Sequence, residues 1–185
     1  MNLLLDKLPT EHEGLKIETN FRSFIMFELL MQDRNVSEKD KIALVLNIFY
    51  KEVPKDLKKA IDVILWFYSC GKEHKENTKR EQKEHKERIY SYEHDANYIY
   101  SAFLSQYGID LNEVEYLHWW KFKSLFEGLN DENKICEIMG YRAVDLSKIK
   151  DKKQRDKYKK LKSTYALPDE RTEEEKEQDF ADAFW

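Results

Sequence analysis

Apolar residues recur at helical spacing along most of this chain, and one stretch in its second half is unusually aromatic. Within residues 108–129, Trp119, Phe122, Phe126 and Leu129 fall on one helical stripe, while Tyr116 and Trp120 sit a turn apart on another. Asp110, with Glu113 three residues on, reads as a capping box, and Gly128 as a stop. The pattern predicts one helix of about four turns over 110–128. A helix apolar on two stripes is either central to its own domain or docked on something else.

The remaining stripes predict a mainly α protein. Residues 21–32 carry Phe21, Phe24, Ile25, Phe27, Leu30 and Met31 on a first helix. Ser37 and Asp40 resemble a capping box that opens a second, whose Ile42, Val45, Leu46 and Phe49 follow the i, i+3, i+4, i+7 template. Pro54 and Asp56 announce a third, with Leu57, Ile61, Ile64, Leu65 and Tyr68 on one face, Val63, Trp66 and Phe67 on the others, and Gly71 closing it. A stripe of Ala96, Ile99, Tyr100, Phe103, Leu104 and Tyr107 ends at Gly108. A short helix is expected over 131–139, stopped by Gly140, then a basic one anchored by Tyr158 and Leu161 and broken before Pro168. Residues 3–8 and 15–19 flank a polar segment with Gly14 and predict a small β-hairpin that must lean on the helices.

The predicted architecture is a single helical domain of about seven or eight helices with that N-terminal hairpin. Residues 1–71 form the hairpin and three helices, 72–88 a charged linker or solvated extension, 89–168 the second helical half, and 169–185 an acidic C-terminal helix capped near Thr172. The segment 72–88 contains no apolar residue, so nothing in it can join a core. With 185 residues, three prolines, five glycines and 37% charged residues, the composition suits one α-rich domain rather than a many-stranded sandwich. Cys70 and Cys136 are far apart, in no metal-like spacing, and fit a reduced setting as small buried hydrophobes. The first residues lack a basic n-region, and no apolar run approaches the roughly 20 residues of a membrane span, so a cytosolic protein is expected.

The net charge of −4 hides local asymmetry. Residues 148–162 hold nine Lys/Arg against Asp151 and Asp156, while 169–182 hold eight carboxylates against Arg171 and Lys176. These runs read as solvated faces, as partners of each other, or as docking surfaces; a nucleic-acid adaptor would use the first for phosphates, with steep salt dependence. Phe180, Ala181, Phe184 and Trp185 make a small apolar face at the end of the acidic stem, suited to docking on the domain or in a partner's groove.

Candidate chemistry is sparse. Glu93, His94 and Asp95 are adjacent and so point in different directions on a helix; Asp95 reads as a cap before Ala96. His118 has no Ser, Cys or paired carboxylate beside it and reads as a structural histidine. His74 and His85 lack the H-E-x-x-H spacing, and neither a Rossmann nor a Walker pattern is present. No catalytic residue, metal ligand or cofactor is expected, and the chain reads as an interaction protein rather than an enzyme.

Several strings, collinear over nearly the whole chain, resemble the phage gene product fifteen family from the tail gene modules of long, flexible-tailed phages of Gram-positive hosts. They are N-F-R-S-F-I-M-F-E-L-L at 20–30, I-L-W-F-Y-S-C-G-K at 64–72, Y-E-H-D-A at 92–96, Q-Y-G-I-D-L at 106–111, E-Y-L-H-W-W-K-F at 115–122, M-G-Y-R at 139–142, D-L-S-K-I-K-D-K at 145–152 and Y-A-L-P-D at 165–169. The tryptophan-rich string and Y-A-L-P-D are the specific parts. The resemblance implies a non-enzymatic protein encoded beside the tape-measure gene, the position of tail assembly chaperones. It implies the tape-measure protein as partner in the host bacterial cytoplasm, other tail assembly proteins as further candidates, and no membrane; self-association stays open. A structural tail component retained in the virion is the alternative, with the nucleic-acid adaptor less expected. On this reading Tyr116, Trp120, Phe180, Phe184 and Trp185 are the candidate partner-binding residues, since large rings offer contact area at little rotamer cost.

Overall fold

Local capping chemistry sets where the first three helices start. The computed structural model describes residues 3–72 and 88–168. Helix α1 (Phe21–Gln32) begins where the Asn20 side chain accepts the Arg22 amide at 3.2 Å. Helix α2 (Glu38–Phe49) opens on the expected box: Ser37 Oγ accepts the Asp40 amide and donates to Asp40 Oδ2 at 2.7 Å. Asp56 caps α3 (Leu57–Tyr68), and Gly108, in the left-handed region at φ 64°, ends α4 (Ala96–Tyr107). Helices α5 (Trp119–Glu127), α6 (Lys134–Ala143) and α7 (Lys152–Thr164), with a 3-10 turn at Leu146–Lys148, complete the second half. Among the described residues the protein is therefore mainly helical, with seven α-helices and one small hairpin. The acidic helix expected over 169–185, and most of the charged segment 72–88, lie outside the described residues.

The hairpin is shorter and later than its leucines suggested. β1 (Glu11–His12) pairs antiparallel with β2 (Leu15–Lys16) across a two-residue turn. Glu13 and Gly14 both have positive φ, the signature of the tight turn whose twist matches a hairpin. That turn sets the register, and Leu3, Leu4 and Leu5 remain an exposed turn rather than a strand. The hairpin leans on the helices through His12, whose ring stacks on Trp66 at 3.7 Å and 2°.

Helix α5 is central. Phe24 of α1 packs between Phe49 and Trp119, with centroids at 4.7 and 5.0 Å, and Phe21 stacks on Phe122 at 4.9 Å. Phe103 of α4 also stacks on Phe122, at 5.0 Å. Extended backbone just before α1 and α5 forms an antiparallel bridge: the Phe21 amide donates to Leu117 O at 2.9 Å and the Trp119 amide to Thr19 O at 2.8 Å. Residues about a hundred apart thus start two packed helices side by side.

Three sequence expectations need correction here. The aromatic helix does not begin at Asp110. The carbonyls of Leu111, Asn112 and Val114 accept from the Arg22 guanidinium, and that of Glu115 from Asn20 Nδ2, so they are committed to α1 instead of a helical ladder. Asp110 closes an Asx turn, its side chain accepting the Asn112 and Glu113 amides, and its carbonyl takes the Val114 amide in a single turn that does not continue as a helix. Gly140 does not stop α6, which runs on to Ala143. Finally, Ile42, Leu57 and Leu104 are exposed rather than core; in α2 the buried stripe starts at Lys41, whose ammonium donates to Met31 O near the end of α1.

Candidate functional site

The paired tryptophans explain the second aromatic stripe. The last carbonyls of a helix have no partner within it. At the end of α3, the Trp119 indole donates to Tyr68 O at 3.1 Å and the Trp120 indole to Phe67 O at 2.7 Å. Adjacent residues on α5 can both reach α3 because its N-terminus meets the α3 C-terminus directly. Gly71 makes that approach possible. It sits at φ +72°, and a Cβ there would lie 2.9 Å from Trp120 Cη2 and 3.3 Å from Trp66 Cζ2. Trp120 is 2% exposed and packs on Trp66 and Phe67. It is a fold-defining side chain, so its placement among the partner-facing residues is corrected. The sequence carried the signal in Gly71, but not the geometry that links it to Trp120.

His118 is structural, as its surroundings implied, though it stands before the helix rather than on it. Its Nδ1 accepts the Trp120 amide at 3.1 Å as the N-cap of α5, and its Nε2 lies 2.8 Å from Pro9 O. That pattern requires the neutral imidazole protonated on Nε2. Burial pushes its pKa below the ordinary 6.5, and the smaller effect of the Pro9 carbonyl acts the other way.

Asp95 is half of a clamp that sequence reasoning placed only as a helix cap. Its carboxylate makes no cap bond to α4. It takes the Ser91 amide and a bidentate pair from Arg142, with Nη1–Oδ2 at 2.5 Å and Nη2–Oδ1 at 2.9 Å. Arg142 also donates to Ile89 O at 3.0 Å and Tyr165 O at 2.6 Å. One buried guanidinium therefore joins the chain before α4, helix α6 and the end of α7. Glu93 and His94 are exposed on either side of this geometry, so the triplet converges on nothing.

Of the expected partner-binding set, Tyr116 alone among the described residues is accessible. Its ring is 52% exposed while its hydroxyl is 2.7 Å from Thr19 Oγ1. Phe180, Phe184 and Trp185 lie outside the described residues. A more extended apolar face runs along α3, where Leu57 is exposed and Ile61 and Leu65 are half-buried at i, i+4 and i+8. On α2, Leu44 is exposed and Ile48 half-buried. The α3 face was hidden from sequence reasoning because Leu57, Ile61 and Leu65 share the spacing of a core stripe.

Among the described residues, no three His, Cys, Asp or Glu side chains gather as a metal site, and no helix is long and apolar enough to cross a membrane. Burial raises the pKa of both Cys70 and Cys136 above the ordinary thiol value. A model of the family described as Bacteriophage Gp15 protein matches residues 4–167. The chain belongs to the bacteriophage Gp15 family. The match spans the aromatic helix, the tryptophan contacts with α3 and the Asp95–Arg142 clamp, so the family model covers the whole helical body of this Gp15-family chain. No curated protein and no solved structure matches it.

Proposed function

We propose that this Gp15-family protein is a tail assembly chaperone that binds the tape-measure protein while the tail is built. The observation that carries the reading is the family match over the helical body. To it the resemblance adds a gene position beside the tape-measure gene. The exposed apolar face of α3 supplies a physical means. A tape measure is a long helix with apolar stripes, and an i, i+4, i+8 row such as Leu57, Ile61 and Leu65 suits packing along another helix. Tyr116 adds a rigid ring with a polar end. Many copies along one filament would turn weak contacts into firm retention. The acidic and basic runs would keep such a loaded filament soluble.

Co-expression with the phage's own tape-measure protein, followed by tagged pull-down, tests the proposal. The expected result is a soluble tape measure that co-purifies with more than one copy of this chain. Leu57→Glu should weaken capture while changing stability by no more than about 0.5 kcal/mol, because the side chain is exposed. A tape measure that stays insoluble and unbound sinks the reading. The nucleic-acid alternative would be favoured by random duplex binding that falls steeply with salt.

A further inference from the structure

Among the described residues, Tyr92 Oη is the buried side-chain oxygen or nitrogen that lacks a hydrogen-bond partner. Tyr92 is 7% exposed, and its ring is held by Tyr90, Phe122 and Phe126 with centroids at 5.3, 6.1 and 6.3 Å. Burial pushes its pKa far above the ordinary 10.0, so the phenol keeps its proton and is a donor without an acceptor. A buried hydroxyl left unpaired carries its full desolvation cost, which is why folded proteins nearly always give it a partner, either protein or ordered water.

The surroundings of this hydroxyl are polar. Glu28 of α1, Tyr68 of α3 and Tyr90 in the segment before α4 are the titratable groups that face it. Tyr68 donates to Glu28 Oε1 at 3.0 Å, which leaves Oε2 open to a further donor. The Tyr68 ring is fixed over that carboxylate by an edge contact with Phe27 at 5.3 Å and by stacking on Trp119 at 5.9 Å. Burial raises the Glu28 pKa, and the Tyr68 bond, Lys123 and Arg88 act the other way. Lys123 of α5 stands over the Tyr90 and Trp119 rings at 6.0 and 5.6 Å, so the cluster already holds its own cation. What Tyr92 needs is a small neutral group that can accept its proton and donate to a carboxylate. Glu28 and Tyr90 are half-buried, so solvent reaches the cluster at that edge.

We propose that one ordered water molecule binds between Tyr92 Oη and Glu28 Oε2, joining α1 to the segment that leads into α4. The water accepts from Tyr92 and donates to Glu28, and its second hydrogen is available to the Tyr90 hydroxyl. That is about the three bonds a buried water usually makes. Tyr90 faces Tyr92 but makes no hydrogen bond with it, so the bridge runs to the carboxylate. A bridge of this kind is nearly as favourable in enthalpy as a direct hydrogen bond. It adds a polar tie between the two halves of the helical body beside the aromatic contacts of Tyr92 with α5. The inference stands independently of the tape-measure reading.

A crystal structure of the full chain and a set of melting curves test it. The crystal structure should show one water at about 2.5–3.0 Å from both Tyr92 Oη and Glu28 Oε2. In far-UV circular dichroism, Tyr92→Phe should melt about 1–6 °C below the parent, the loss of one hydrogen bond in a protein of this size. In a Glu28→Leu background, which keeps the bulk but offers no acceptor, the same change should leave Tm unchanged or raise it. In a Tyr90→Phe background it should keep at least half of its effect. A crystal structure with both side chains resolved and no water between them would overturn the proposal. So would a Tyr92→Phe protein that melts above the parent, since that marks a dry hydroxyl whose removal recovers its desolvation cost. An equal loss in the parent and in Glu28→Leu would overturn it too, as would a loss that vanishes only in Tyr90→Phe, which assigns the hydroxyl to Tyr90 instead.

Discussion

Truncating Trp120 to alanine separates a folding role from a binding role most sharply. The indole is buried against Trp66 and Phe67 and donates to Phe67 O at 2.7 Å. Removing a buried tryptophan costs about 3–5 kcal/mol through lost transfer energy and the cavity left behind. The loss also removes one of two hydrogen bonds on the Phe67 carbonyl, which keeps the Cys70 amide at 3.1 Å. For a protein of this size each kcal/mol lowers Tm by about 2–4 °C, so the variant should melt about 6–20 °C below the parent. Thermal unfolding followed by far-UV circular dichroism reads this directly. Trp120→Phe is the control: it keeps a ring and loses the N–H, and should cost about 0.5–1.5 kcal/mol for the one hydrogen bond removed, since Phe67 O still accepts the Cys70 amide at 3.1 Å. A Trp120→Ala protein that melts within about 2 °C of the parent would refute the reasoning and return Trp120 to the partner-facing set.

Asp95→Ala leaves the Arg142 guanidinium buried without its counter-charge and should cost about 3–5 kcal/mol in urea unfolding, whereas the paired apolar replacement D95L/R142M should recover much of the loss. For His118, the folded pKa lies below the unfolded 6.5, so the unfolded state binds more protons. Its contribution is intact above pH 6.5 and is lost as pH falls from there through the folded pKa; the urea midpoint should drop across that window in the parent and less in His118→Asn, which can still cap α5. Glu28, raised by burial, titrates with the opposite sign, so the difference between the two proteins carries this test. Gly71→Ala combines a left-handed φ with a 2.9 Å approach to Trp120 and should cost more than the roughly 1 kcal/mol of an ordinary glycine replacement, measured as a fall in Tm. Tyr116→Phe loses a single half-exposed bond to Thr19 and should cost about 0.5–1.5 kcal/mol.

What could be read in the sequence was whatever short-range chemistry decides. Ser37, Asp56 and Gly108 mark helix ends because a cap needs only the next turn, and the bounds of α1 follow from its run of apolar residues. The segment 108–118 failed that logic. Asp110 and Glu113 look like a cap, but Arg22, some ninety residues away, takes the carbonyls a helix would have used. Trp120 failed for the same reason in reverse. Its stripe looked surplus on a lone helix, and only the meeting of α5 with the α3 terminus gives its N–H a partner. The exposed face of α3 was invisible because Leu57 and Ile61 have the spacing of core residues, and which stripe turns inward depends on neighbours the periodicity does not name. Asp95 and Arg142 illustrate the limit for charged groups: a buried pair across forty-seven residues leaves no local pattern.

Quantitative mass spectrometry of infected cells tests the central proposal most directly, comparing tape-measure-containing assembly intermediates with purified virions. An assembly chaperone should be present in several copies per tape measure in the intermediates and lost from the finished particle. Stoichiometric retention in the virion, or absence from the tape-measure intermediates, would contradict it.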